Sequence, residues 1–171
     1  RISSGFDYDL TGDQKNRDRA IFAANLLAGR YNPNGFIRAW NDDKVGWAII
    51  DCMMNLSLLY WATEQTGDPR FCLMAQRHAD TVSKHFIRPN GTSEHIVVFD
   101  PITGAVVSKP GGQGYAAGTV WSRGQAWAIY GFAISYRHTG KQEYLDTARK
   151  VADTFIAHVS EDWLPDCDFE G

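Results

Sequence analysis

Asp51 stands in WAIIDCMMNLSLLYW, a run from Trp47 to Trp61 that is otherwise almost wholly apolar. An ionised carboxylate taken out of water without partners costs several kcal/mol. Asp51 therefore either caps a loop or pairs with an arginine inside the core, or it is a general acid/base held among apolar neighbours. A second candidate group is WSRGQAW, from Trp121 to Trp127. Arg123 and Trp127 lie four residues apart and share a helix face. Such a pair can bind the carboxylate of a sugar acid while the indole stacks on the ring. It can equally be the start of a helix with two core tryptophans and a structural arginine. His95 opens an apolar segment and either hydrogen-bonds a ligand or sits at a strand edge. Gln113 is presented by GGQG, which has no Lys-Ser/Thr after it and no strand–loop–helix frame, so it is not a phosphate loop.

The elements that must position these residues show a faint repeat. Thr-Gly recurs at Thr11-Gly12, Thr66-Gly67 and Thr139-Gly140. An amphipathic run follows each, and in the third Tyr144, Ala148, Val151, Ala152, Phe155 and Ile156 form one apolar stripe. Before the second and third Thr-Gly lie more apolar helices, expected over roughly Trp47 to Gln65 and Ser122 to His138. Glycine is a stop signal there. Asp68-Pro69 reads as N-cap and first helical residue. Thr11 with Gln14 has capping-box spacing, and Ser122 can cap its helix. Apolar and amphipathic helices in alternation imply an inner and an outer layer, a solenoid or a closed α/α toroid. The toroid is favoured because the inner helices carry aromatic and polar groups suited to a cavity. HIVVF and AVVSK, flanking DPITG, predict one β-hairpin insertion, followed by the irregular KPGGQGYAAGT.

Composition excludes several classes. The chain has 171 residues, of which 44% are hydrophobic and 22% charged, as expected for one globular domain. A net charge of -3 gives no broad attraction to nucleic acid or an anionic membrane. No run of 18 uncharged apolar residues marks a membrane span. Cys52, Cys72 and Cys167 are odd in number, widely spaced and read as free thiols. No His, Asp or Glu spacing suggests a metal. Aromatic residues make up 13%, with six tryptophans. Several of them sit at loop edges, where they suit carbohydrate stacking or simply fill a core.

IIDCMMNLSLLYWATEQTGDP together with GQGYAAGTVWSRGQAWAIYGFAISYRHTG closely resembles the unsaturated glucuronyl hydrolases of glycoside hydrolase family 88. The resemblance runs through essentially all 171 residues. It implies that residues 1–171 are part of a single (α/α)6-barrel catalytic domain. It implies hydration of the C4=C5 enol ether that polysaccharide lyases leave on a terminal uronic acid, with no metal or organic cofactor. By motif, Asp51 matches the catalytic acid/base. Trp40, His95, Gln113, Arg123 and Trp127 match substrate-binding positions, Trp40 in FIRAWN as a stacking residue. The implied partner is a small oligosaccharide with a terminal unsaturated uronic acid. The implied setting is the bacterial cytoplasm or periplasm.

Family members are roughly twice this length and carry a second essential aspartate upstream of the region matching Arg1. The resemblance thus predicts that the chain is the middle of a longer enzyme, holding at most six of about twelve barrel helices. Two other functions fit the same sequence: an unsaturated rhamnogalacturonyl or galacturonyl hydrolase of pectin fragments, and a non-catalytic helical-repeat binding protein. A catalytic cavity requires Asp51, Gln113, Arg123 and Trp127 to face one pocket; a scaffold does not.

Overall fold

The structure is a computed structural model describing residues 3–170. Among these residues six helices form three consecutive pairs: α1 (Ser4–Thr11) with α2 (Gln14–Ala28), α3 (Cys52–Thr66) with α4 (Pro69–His85), and α5 (Ser122–Thr139) with α6 (Gln142–Ala157). The Thr-Gly repeat is the junction within each pair. The threonine hydroxyl donates to the carbonyl four residues back, on Asp7, Ala62 or Ser135, at 2.7 Å each time. It accepts the amide of Asp13, Asp68 or Lys141 at 3.2 Å each time. The glycine follows in the left-handed conformation, with φ of 73°, 71° and 69°. Side chain and backbone together satisfy carbonyls and amides that helix ends leave open.

The expected two layers are present. α3 and α5 pack against each other and bury residues around most of their circumference. α4 and α6 bury single stripes, Phe71, Ala75, His78, Ala79 and Val82 on one, Tyr144, Ala148 and Val151 on the other. Contact between α3 and α5 is close enough that a Cβ on Gly131 would lie 2.5 Å from Met53 Cβ. Gln125 is fully buried. Its Oε1 accepts the Ser93 amide at 2.9 Å, and its Nε2 donates to Gly91 O at 2.7 Å.

Five short strands complete the fold among the described residues: β1 (Tyr31–Asn32), β2 (Phe36–Ile37), β3 (Trp47–Ile49), β4 (Ile96–Phe99) and β5 (Val106–Ser108). β1 and β2 pair with each other; β3, β4 and β5 form an antiparallel sheet in that order. The expected hairpin is β4–β5, but it carries a third strand that was expected to be helix. Trp47, Ala48 and Ile49 pair with Val98, Val97 and Ile96. A run apolar on every side has no period to separate strand from helix, and the partner strand decides. α3 consequently starts at Cys52, with Asp51 at its N-cap rather than beyond its first turn.

Two caps also differ from expectation. Asp13, not Thr11, caps α2 through the Lys15 amide at 3.0 Å, because Thr11 is committed to ending α1. Trp121, not Ser122, is the N-cap of α5, and the Ser122 hydroxyl donates to Cys167 O at 3.1 Å. No helix is long and apolar enough to cross a membrane among the described residues.

Candidate active site

The β3–β4 pairing places Asp51. Ile49 sits opposite Ile96, so the residues just after β3 lie beside those just before β4. The Ile50 amide donates to His95 O at 3.0 Å, continuing the ladder. Asp51 Oδ1 thereby comes to 3.6 Å from His95 Nε2. The Asp51 side chain accepts no capping bond from α3, although it stands at the helix start. Both Oδ1 and Nε2 are buried and lack a hydrogen-bond partner. The Asp51 side chain as a whole remains 28% exposed against 7% for His95. The carboxylate thus rests one oxygen against the histidine and keeps a route to solvent.

The other ring nitrogen settles which atom of His95 carries the hydrogen. Nδ1 accepts the Gln113 amide at 2.8 Å. A neutral ring that accepts at Nδ1 donates at Nε2, so N–H faces the Asp51 carboxylate. At 3.6 Å the pair is an approach rather than a hydrogen bond, a separation that tightens readily around a substrate.

The irregular segment 110–120 closes over this pair. A Cβ on Gly112 would lie 2.0 Å from His95 Nδ1, so the loop approaches the ring only because glycine stands there. The Gln113 backbone holds His95, while its Oε1 accepts from Arg123 Nη2. The Arg123 guanidinium lies over the Trp121 ring at 4.4 Å, and His95 packs on the same tryptophan with ring centres 4.3 Å apart. Asp51, His95, Gln113 and Arg123, drawn from four separate stretches of sequence, therefore form one connected cluster around Trp121.

A family model described as Glycosyl Hydrolase Family 88 matches residues 5–159. The chain belongs to glycosyl hydrolase family 88. It is 39% identical over 179 residues to the unsaturated glucuronyl hydrolase of Bacillus sp. strain GL1, covering 97% of this chain and 48% of that protein. It is 34% identical over 160 residues to the unsaturated chondroitin disaccharide hydrolase of Streptococcus pneumoniae, covering 91% of this chain and 40% of that one. The crystal structure of the Bacillus sp. GL1 unsaturated glucuronyl hydrolase superposes with a TM-score of 0.95 at 38% identity, covering 99% of this chain and 46% of that chain. The fold is that of an α/α barrel, of which the chain covers roughly half. The chain likewise spans about half the length of the curated relatives it matches.

Two residues matched to the family by motif stand apart from the cluster in their observed contacts. Trp127 lies one turn beyond Arg123 on α5, half-buried and edge-on to Tyr130 at 6.5 Å, with a buried, unpartnered indole N–H. Trp40 packs edge-on to Trp47 at 6.0 Å, and Lys44 Nζ sits 5.2 Å and 5.1 Å from the two rings. The sequence reading also missed two members of this region. Trp121, read as a loop-edge or core tryptophan without a role in the site, supports both His95 and Arg123. Asp168, in the tail segment LPDCDFEG, is buried and contacts the 110–120 segment from about 50 residues away. Nothing periodic marks it in the sequence.

Proposed function

We propose that the full-length protein hydrates the C4=C5 double bond of unsaturated uronyl oligosaccharides released by polysaccharide lyases, with Asp51 as the acid/base. The single observation that carries this is the free carboxylate at the start of α3, uncapped and facing the His95 Nε2–H. The S. pneumoniae relative's name, an unsaturated chondroitin disaccharide hydrolase, favours glycosaminoglycan fragments over pectin fragments as substrate.

In the proposed reaction Asp51 protonates C4 and water adds at C5, returning its proton to the carboxylate. The product is a hemiketal at C5. It opens to a C5 ketone and leaves C1 as a hemiacetal, which expels the second sugar. Asp51 is regenerated, no redox change occurs, and no cofactor is consumed. His95 steadies the carboxylate through Nε2–H. Arg123 offers the fork of donors that suits the uronate carboxylate, with Gln113 holding its orientation. Trp40 and Trp127 supply apolar faces for sugar rings. Residues 1–171 belong to one catalytic domain in this reading.

The test is the loss of ultraviolet absorbance of an unsaturated chondroitin or hyaluronan disaccharide, since hydration removes the conjugated C4=C5 carboxylate. Asp51→Asn should slow the decay about a thousandfold, a loss of about 4 kcal/mol of transition-state stabilisation. No decay with these substrates but decay with a pectin-derived one moves the assignment to the pectin-fragment hydrolases. No decay with either substrate overturns the enzyme reading in favour of a binding protein.

A further inference from the structure

Asp168 is a carboxylate that the proposed chemistry does not use, yet it is only 4% exposed. Its Oδ2 accepts the Tyr115 amide at 2.8 Å and the Thr119 hydroxyl at 2.7 Å, while Oδ1 accepts the Glu170 amide at 3.1 Å. Burial alone would raise its pKa. The hydrogen bonds from Thr119, Tyr115, Glu170 and Val120 outweigh that and hold it below the usual carboxylate range, so it stays ionised.

The two Oδ2 bonds grip a segment that has no regular secondary structure to fix it. Residues 110–119 include Gly111, Gly112, Gly114 and Gly118, and have no helix or strand. Glycine-rich backbone loses the most conformational freedom on ordering. The segment runs directly over the carboxylate, since a Cβ on Gly114 would lie 2.4 Å from Oδ2. Tyr115 is two residues from Gln113, whose amide fixes the His95 ring.

Asp168 reaches the cluster a second way. It forms an antiparallel bridge with Trp121, with Ser122 N–H donating to Cys167 O at 3.1 Å and Phe169 N–H to Val120 O at 3.0 Å. Trp121 is the ring on which both His95 and Arg123 rest.

We propose that Asp168 is a positioning residue of this site: it anchors the 110–119 loop so that the Gln113 amide meets His95 Nδ1, which keeps the His95 hydrogen on the nitrogen facing Asp51. The inference rests on the proposed function for its consequence in catalysis, but its structural half stands without it. Asn at position 168 keeps the size and one acceptor oxygen. It places an NH2 where a second oxygen now accepts, and it removes the charge that strengthens these bonds.

The experiment uses full-length protein labelled with 15N-histidine, with His95 assigned through His95→Gln. In the parent, NMR should show the neutral His95 ring as the Nε2–H tautomer. Asp168→Asn should shift it toward a tautomer mixture and lower kcat/KM toward unsaturated chondroitin disaccharide at least about tenfold, within the range set by small misplacements at reacting groups. Gln113→Pro, which lacks the amide hydrogen, should reproduce the tautomer shift with Asp168 untouched. Thr119→Val removes one bond to the carboxylate and should move both readouts the same way by less. If Asp168→Asn fails to fold, Thr119→Val decides. An unchanged His95 tautomer in the folded variants overturns the proposal, as does an unchanged kcat/KM beside a shifted tautomer. If the parent itself hydrates no substrate, the functional reading fails, while the tautomer comparison still confirms or rejects the anchoring.

Discussion

The molecule builds its turns in two ways that share the same residue types. Each Thr-Gly junction uses a threonine hydroxyl and a glycine, and its side-chain bonds reach only two or four residues along the chain. The 110–119 segment also uses a threonine hydroxyl and glycines. Thr119 bonds locally to Ala116 as well, but other bonds of the segment reach 18, 49 and 53 residues away, to His95 and Asp168. Junction glycines are needed for their backbone conformation, and a Cβ there would meet nothing within 4 Å. Gly111, Gly112 and Gly114 of the loop are needed for room, whereas Gly118, at φ 90° with nothing within 4 Å, is needed for its backbone conformation as the junction glycines are. A turn satisfied by its own neighbours can be repeated three times with φ varying by only a few degrees; a turn satisfied from afar is built once, where the chain must bring distant groups together.

The most severe test of that contrast is Gly112→Ala. Its added methyl would stand 2.0 Å from His95 Nδ1, against a ring wedged on Trp121, so ring or loop must move. Because His95 faces Asp51, the rate of the proposed hydration should fall about a hundredfold or more. The melting temperature should fall only modestly, since the loop lies outside the main core. A Gly112→Ala protein with the parent's kcat/KM would show that the loop glycines are as indifferent to side chains as the junction glycines.

The same contrast explains what was legible in the sequence. The helices over α4, α5 and α6, the Asp68-Pro69 start and the glycine stops depend on spacing within a few residues, and their signals survive in one dimension. The toroid-like layering followed from the alternation of apolar and amphipathic helices. Trp47–Ile49 was misread because a strand apolar on both faces carries no period, and β4, which claims it, lies about 50 residues on. That misreading also put Asp51 inside a helix when it stands at the helix start. The cluster of Asp51, His95, Gln113 and Arg123 was reached through motif resemblance. Trp121 and Asp168, which hold it in place, depend on contacts that no local pattern encodes.

His78 sharpens the comparison from within the regular region. Its Nδ1 accepts the Ile37 amide at 3.1 Å, the same use of an imidazole as at His95, but on a fully buried helix face. Burial lowers its pKa from 6.5 to about 4. Between those values the unfolded chain binds a proton that the folded one refuses. Stability should therefore drop as pH falls from about 6.5 to about 4, by up to about 3 kcal/mol. His78→Gln keeps an acceptor for the Ile37 amide and should flatten that part of the curve in urea denaturation across pH. An equally steep curve in the variant would assign the acid sensitivity to other groups.

The smallest effect belongs to the junctions themselves. In Gly67→Ala the new Cβ has open space, so the whole cost is the left-handed conformation at φ 71°. That conformation costs an L-residue about 1–2 kcal/mol. The narrower unfolded ensemble of alanine offsets about 0.4–1 kcal/mol of it. A net loss of about 1 kcal/mol should appear in urea denaturation, with kcat/KM unchanged, because the junction reaches no residue of the Asp51 cluster through its own bonds. Gly140→Ala, with the same geometry at φ 69°, should give the same value within a few tenths of a kcal/mol. Two different values would mean that the junctions differ in what surrounds them, despite identical internal bonds. A loss of activity in either variant would mean that these turns communicate with the site, and that the division between local and long-range turns is not one the molecule observes.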